Sequence, residues 1–281
     1  MQVAPFSRLI ARCYHSQMDA PTDPTPARTI DLNADAGESF GRWRVVDERA
    51  LFPYLSSVNL ACGFHAGDPQ GLVESIALAV ENGVAIGAHP GFPDKVGFGR
   101  RDMSVSTAEL EADVVYQLGA VAALARAAAR ELHHAKAHGA LYQQMTVNER
   151  VADAFTRAVL AFRADLPVVV LGGPGGELMR SAVERAGALA VAEAFPDRAY
   201  LSSGLLAPRY MDGALITDVQ QIAERAVAFA TEDAVPALDG GTVKVHAETL
   251  CLHGDGPSAV EAARAVRASL EYAGVTVRAH S

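Results

Sequence analysis

The stretch Asp31-Leu32-Asn33-Ala34-Asp35-Ala36-Gly37-Glu38-Ser39-Phe40-Gly41 joins a short alternation of polar and apolar residues to a glycine turn. In a strand, residues two apart share a face, so Asp31, Asn33 and Asp35 point one way and Leu32 and Ala34 the other. A face with two carboxylates and an amide suits a place where strand ends converge on a site. The turn that follows lacks GxGxxG, the fingerprint that usually follows the first strand of an open, doubly wound sheet. A closed or nearly closed barrel, which gathers the C-terminal ends of its parallel strands into one mouth, is therefore expected over an open sheet.

The pattern continues downstream. Apolar extended runs at 29–34, 57–61, 84–88, 134–137, 167–171, 198–202 and 242–246 alternate with helical patterns at 47–54, 69–82, 106–130, 148–163, 175–189, 217–230 and 257–273. The run 250–252 either extends the last strand or forms a separate short element. Asp68-Pro69 and Ser106 are helix starts, and Gly83 and Gly274 are stops. Such alternation means parallel strands with helical crossovers, an α/β fold. The alanine-rich segments 119–130 and 181–194 read as closely packed helix formers. Residues 1–28, with prolines at 21, 24 and 26 and no sustained period, read as a flexible N-terminal extension, and 29–281 as a single catalytic domain.

Composition narrows the function classes. The 281 residues are 50% hydrophobic, enough for a sizeable core, and 24 basic against 33 acidic residues give a formal charge of −9. No Lys/Arg cluster offers to neutralise a phosphate backbone, so a nucleic-acid partner is not expected. Cys13, Cys62 and Cys251 show no CxxC spacing, which indicates neither a disulfide framework nor a cysteine zinc site. With no signal-like or membrane-spanning apolar stretch, a cytoplasmic protein without membrane association is expected.

Chemistry-bearing side chains cluster where the apolar runs end. Asp35 and Glu38 can act as a base or hold a metal, although an Asp/Asn-rich segment before glycine is also an ordinary turn. His65 follows a second run with Asn59, Cys62 and Asp68, the last a natural helix N-cap; His89 follows a third, in Gly87-Ala88-His89-Pro90-Gly91. Arg100, in the loop Lys95 to Asp102, can clamp a carboxylate or phosphate. Lys136 and His138 share a face if the fourth strand runs through them, whereas His133 and His134 read as partly exposed. The glycine loop 172–177 suits an anion nest or a tight turn, Arg198 and Tyr200 are binding candidates, and His253 can pair with Asp255 or with a carboxylate from another strand. Asp35, His65, His89 and His138 are feasible metal ligands if the fold brings them together, but no HExxH or other local pair requires a metal. No Walker sequence occurs.

The order of these motifs resembles the LamB/YcsF family, the A subunits of ATP-hydrolysing 5-oxoprolinase, over roughly residues 29–280. The resemblance rests on Asp31-Leu32-Asn33 with Asp35 and Gly37 to Gly41, Asn59 with Ala61 to Pro69, and Gly83 to Gly91. It continues in Gly97-Phe98-Gly99-Arg100-Arg101, Lys136 with His138 to Tyr142, Asp197-Arg198-Ala199-Tyr200, and Cys251 with His253-Gly254-Asp255. It implies a seven-stranded, TIM-like (β/α) barrel of the glycoside hydrolase/deacetylase type. It also implies opening of 5-oxo-L-proline to L-glutamate with ATP hydrolysis, with ATP used through a complex with 5-oxoprolinase subunits B and C, magnesium accompanying the nucleotide. Ala137, His246 and Glu248 stand where the family pattern commonly has proline, arginine and aspartate, and Ala34 and Ala36 replace its frequent cysteine and leucine.

On this reading Asp35, His65, His89, Lys136 and His138 are catalytic. Asp35 or His65 activates water, Lys136 and Arg100 hold negative charge, and His89 or His138 protonates the ring nitrogen. Asp31, Asn33, Glu38, Asn59, Arg100, Arg198, Tyr200, His253 and Asp255 bind or orient the small-molecule substrate. Two competing readings remain: a metal-dependent amidohydrolase or deacetylase that does not use ATP, and a non-catalytic subunit that binds a small acid.

Overall fold

The alternation that opens the chain forms strand β1 (Thr29–Ala36), buried at every position after Thr29. In a computed structural model that describes residues 28–254, 256 and 258–280, this strand closes a ring. The extension read over 1–28 lies, apart from Arg28, outside the described residues. After β1 come β2 (Ser57–Ala61), β3 (Ala85–His89), β4 (His134–Lys136), β5 (Val168–Leu171) and β6 (Ala190–Ala194), each paired parallel with the one before. A hairpin of β7 (Ala234–Pro236) and β8 (Thr242–Lys244) intervenes before β9 (Thr249–Leu252). Strand β9 pairs parallel with both β6 and β1, at Glu193↔Thr249 and Asn33↔Cys251, so seven strands make a closed barrel. A short β10 (Thr276–Val277) adds to the start of β1.

Helices pack around the ring because both strand faces are buried, as parallel sheets require. Helix α1 (Glu48–Leu51) is brief, and α2 (Pro69–Asn82) occupies the span expected from sequence. The Asp68 carboxylate accepts from Gly71 N at 2.9 Å, Pro69 occupies the first turn, and Gly83 ends the helix in the left-handed region. Ser106 caps α3 (Thr107–Ala127) in the same way. Between β4 and β5 the chain forms α4 (Gly139–Val147) and α5 (Glu149–Phe162). Then follow α6 (Glu177–Arg185), α7 (Val219–Thr231) and α8 (Ala259–Tyr272). Leu32, Ala34 and Ala36 join the apolar core, while Asp31, Asn33 and Asp35 fill the barrel interior. None of the described helices is long and apolar enough to cross a membrane.

Two strand assignments are corrected. The sixth barrel strand is 190–194, inside the alanine-rich stretch that reads as helical, because pairing of Val168–Leu171 with 190–193 outweighs alanine's helix propensity there. Residues 198–202 instead form a loop in which Arg198 and Tyr200 make only isolated bridges. The seventh barrel strand is 249–252, a separate element. The run at 242–246 supplies β8, whose alternation serves an antiparallel hairpin outside the ring.

Candidate active site

The barrel interior is polar in stacked levels. At the lowest, Asp31 accepts from Ser56 Oγ (2.6 Å), Ser57 Oγ (2.7 Å) and Thr249 Oγ1 (2.6 Å). Burial pushes its pKa up, and the three hydroxyls pull against that rise. Above it, Asn59 Nδ2 donates to Asn33 Oδ1 at 2.7 Å and to Asp35 Oδ1 at 2.9 Å. Asn33 Nδ2 in turn donates to Thr249 Oγ1 at 2.5 Å and Glu193 Oε1 at 3.2 Å. Asp31, Asn33 and Asn59 are thus at most 1% exposed and lie beneath the mouth, supporting Asp35.

At the mouth, the Lys136 ammonium lies 3.0 Å from Asp35 Oδ1, 2.9 Å from Glu193 Oε1 and 3.0 Å from Cys251 Sγ. Burial works against this cation, but Asp35, Cys251 and Glu193 together hold its pKa well above the usual lysine value. Burial alone would raise Asp35 in turn, yet His89 and Lys136 outweigh it and hold the carboxyl well below its usual range. Asp35 is 9% exposed, which leaves its edge toward the mouth accessible.

Three imidazoles complete this level. His89 Nδ1 donates to the Lys136 carbonyl at 2.8 Å, and His138 Nε2 donates to the Phe98 carbonyl at 2.8 Å. Each bond fixes the hydrogen on one ring nitrogen and turns the other inward. The inward pair, His89 Nε2 and His138 Nδ1, lie 3.1 Å apart, with Asp35 Oδ2 3.3 Å from the former. One proton, or one cation, satisfies both. His65 stacks on His138 with centroids 3.7 Å apart, is 1% exposed, and has no hydrogen-bond partner at either nitrogen among the described residues. Its Nε2 is 4.0 Å from Glu38 Oε1. Burial followed by charge repulsion from neighbouring histidines pushes the pKa of both His65 and His138 well down.

Gly99 makes this stack feasible. It sits at φ +64°, and a Cβ there would come within 2.7 Å of His65 Cβ and 2.8 Å of His138 Cδ2. Gly99→Ala is expected to destabilise the fold by about 1–2 kcal/mol from backbone strain alone. It should also tilt the rings and lower turnover at least about tenfold, read by thermal unfolding and steady-state kinetics. A variant with wild-type kinetics would mean the stack is not needed in its present geometry.

Around the rim, Arg100, Arg198, Pro208, Arg209 and His253 border a cavity of about 390 Å³ over Asp35, His89, Lys136 and His138, a size suited to a small molecule. Arg198 is 3% exposed and donates to the Ala207 carbonyl at 2.7 Å, with burial and Arg209 lowering its pKa to about 10. Tyr200 is fully buried behind the rim, where its hydroxyl accepts from Phe195 N at 3.0 Å. The partner of His253 is Asp197, whose Oδ2 lies 2.8 Å from Nδ1 and accepts the His253 backbone N–H at 2.9 Å. Asp255 lies outside the described residues.

Two acids at the site escape a reading of the sequence. Glu193 is hidden in an alanine run that reads as helical, although a lone acid in Ala190-Val191-Ala192-Glu193-Ala194 is the signal of a strand with one functional face. Asp197 stands in one motif with Arg198 and Tyr200 but ends no apolar run, so local pattern assigns it no role. His134, expected to be partly exposed, is buried and donates through Nε2 to Asn59 Oδ1 at 2.7 Å. His246 is exposed and pairs with Asp233 at 3.1 Å, away from the mouth.

The residues present fit a divalent ion. Asp35, His89 and His138 each offer a ligand atom within 4.8 Å of the others, as do Glu38, His65 and His138. Two imidazoles and a carboxylate suit zinc or iron better than magnesium, which prefers oxygen ligands.

A closed parallel barrel whose strand ends carry a buried ammonium, several carboxylates and stacked imidazoles is a (β/α) barrel built around a small-molecule site. The chain belongs to the LamB/YcsF family, whose pattern matches residues 30–281. It is 54% identical over 250 residues to the 5-oxoprolinase A subunit of Thermus thermophilus, covering 89% of this chain and 99% of that one. Against the 5-oxoprolinase A subunit of Heliobacterium modesticaldum it is 48% identical, with 89% and 97% covered. The crystal structure of the lactam utilization protein from Thermus thermophilus superposes with a TM-score of 0.85 at 53% identity, covering 90% of this chain and all of that one. A β-1,4-mannanase barrel, 12% identical with a TM-score of 0.51, shares the fold alone.

Proposed function

We propose that this chain is the ring-opening component of an ATP-dependent 5-oxoprolinase that converts 5-oxo-L-proline to L-glutamate. The observation that carries the reading is near full-length identity, 54%, to a 5-oxoprolinase A subunit. The mouth also has the groups that lactam opening needs. An amide is a poor electrophile, so transfer of the ATP γ-phosphoryl group to the lactam oxygen weakens its resonance. Water then adds to the carbon, the C–N bond breaks as nitrogen takes a proton, and a second water releases phosphate. We assign ATP, with its magnesium, to a complex with subunits B and C.

Within that scheme, Asp35 is the base for water, since its charge is secured by Lys136 while Oδ2 faces the mouth beside His89. The inward-facing pair His89 and His138 holds the proton for the departing nitrogen. Arg100 at the rim holds the substrate carboxylate or the phosphoryl group. Lys136, already engaged by two carboxylates, tunes Asp35 rather than binding substrate. His65 and Glu38 position His138.

The test is glutamate formation from 5-oxoproline by the purified chain, with and without ATP and co-expressed B and C subunits. Turnover only in the complete mixture supports the assignment; none in a mixture of folded, complexed partners sinks it. In the active mixture, Arg100→Met is expected to raise KM about tenfold or more. The Asp35, His89 and His138 geometry favours one second reading, a metal-dependent amidohydrolase. A zinc-class ion held there would supply Lewis-acid activation of a carbonyl. Turnover without ATP that chelators abolish would select it.

A further inference from the structure

We propose that His133, His134 and His280 form a second transition-metal site, at the closed end of the barrel opposite the mouth, that takes a divalent ion of the zinc class. His134 Nε2 faces Asn59 Oδ1, and that oxygen can only accept, because Asn59 Nδ2 is fixed by donating to Asn33 Oδ1 and Asp35 Oδ1. The hydrogen of neutral His134 is therefore on Nε2 and its lone pair on Nδ1. His133 Nε2 lies 2.8 Å from the His280 carbonyl, which also only accepts, so the His133 lone pair is likewise on Nδ1.

Those two Nδ1 atoms face each other at 3.1 Å. Two lone pairs at that separation repel unless something positive lies between them. Zn–N bonds of about 2.0–2.1 Å in a tetrahedron put neighbouring nitrogens about 3.3–3.4 Å apart, close to what the pair already has. A third imidazole stands beside them. Among the described residues neither ring nitrogen of His280, both buried, has a hydrogen-bond partner, and one ligand atom from each of the three residues lies within 4.8 Å of the others. Gly87 leaves the room that the His134 ring takes, since a Cβ there would meet that ring.

The surroundings have the form of a metal site's outer layer. A ligating histidine usually donates its other N–H to a carbonyl or carboxylate, which fixes ring and tautomer. His133 does so to the His280 carbonyl and His134 to the Asn59 amide oxygen. The three imidazoles are borderline ligands that favour zinc, copper or nickel over magnesium or calcium, and water can take the fourth position.

The test uses the full chain after chelator treatment. Zinc is titrated by equilibrium dialysis and cobalt(II) by its visible absorption, with thermal unfolding as a separate readout. The wild type is compared with His280→Ala on the C-terminal tail, with His133→Ala, and with His138→Ala, which alters only the mouth. Expected is a loss of one bound zinc per chain, or at least a tenfold weaker Kd, in His280→Ala and His133→Ala, together with loss of one zinc-induced rise in Tm. His138→Ala should keep the affected class of site. Zinc binding and its Tm shift unchanged in a folded His280→Ala, or no zinc retained by the wild type at micromolar concentration, would overturn the proposal in favour of a shared proton.

Discussion

Replacing Lys136 with methionine is expected to lower ring-opening turnover by about 10³-fold or more and to destabilise the fold by about 3–5 kcal/mol. The reason is the company that the ammonium keeps. It lies within 3.0 Å of both Asp35 and Glu193, which are 9% and 0% exposed. Removing the cation leaves two buried carboxylates inside the barrel, Glu193 with a donor in Asn33 and Asp35 with Asn59, the Cys251 thiol and the His89 ring beside it. Glu193, whose pKa burial already raises, is the acid that takes up a proton in response. Asp35 then keeps His89 but loses Lys136, the second of the two cations that offset its burial, and its capacity to act as a base falls accordingly. The double variant Lys136→Met/Glu193→Gln should recover about 1–2 kcal/mol by removing the buried charge, without recovering turnover. Urea unfolding of the four members of the cycle, with glutamate formation in the assembled complex, checks both halves. A Lys136→Met chain within about 1 kcal/mol of wild type would mean that the ammonium is not the counter-ion of this cluster.

That cluster explains how much of the site is legible in advance. Asp35, His65, His89, Lys136 and His138 follow apolar runs whose length and alternation mark strand ends, so each is visible from its own neighbourhood. Helix α2 is equally plain, because Asp68, Pro69 and Gly83 carry their own start and stop chemistry. What local pattern does not supply is closure. Asn33 meets Glu193 and Thr249 across 160 and 216 residues, and both contacts exist only because β9 inserts between β6 and β1. Alanine disguises β6, since its helix propensity masks a period of two, while the valines of 242–245 imitate a barrel strand and belong to a hairpin. His134 is misread for a related reason: its burial depends on Gly87 in the neighbouring strand, which gives no signal at His134 itself.

The second large effect is a loss of stability on mild acidification. In chelator-containing buffer, the unfolding free energy should fall as pH drops below about 6.5, the ordinary histidine value, by up to about 1.4 kcal/mol per pH unit for each imidazole kept neutral by the fold. Four are candidates. His65, His134 and His138 have pKa values pushed well down, in each case first by burial and then by neighbouring positive charge, and burial followed by His133 lowers His280 to about 4. The direction follows from proton counting. Between the depressed folded value and about 6.5 the unfolded chain binds protons that the native chain does not, so acid drives unfolding and the contribution is full only above that window. Asp35 works in the same direction at lower pH, because its folded value is also depressed: its contribution is present above the ordinary aspartate value of about 3.9 and lost as pH falls through the folded one. Urea unfolding at several pH values between about 5 and 8 gives the proton uptake as a slope. His65→Leu removes one imidazole that has no hydrogen-bond partner among the described residues, so it should reduce that slope by about one proton while leaving the curve above pH 7 comparatively level. A wild-type slope of zero across this range would mean that these rings ionise as freely in the folded protein as in water, and that the packing around His65 and His138 does not hold them neutral.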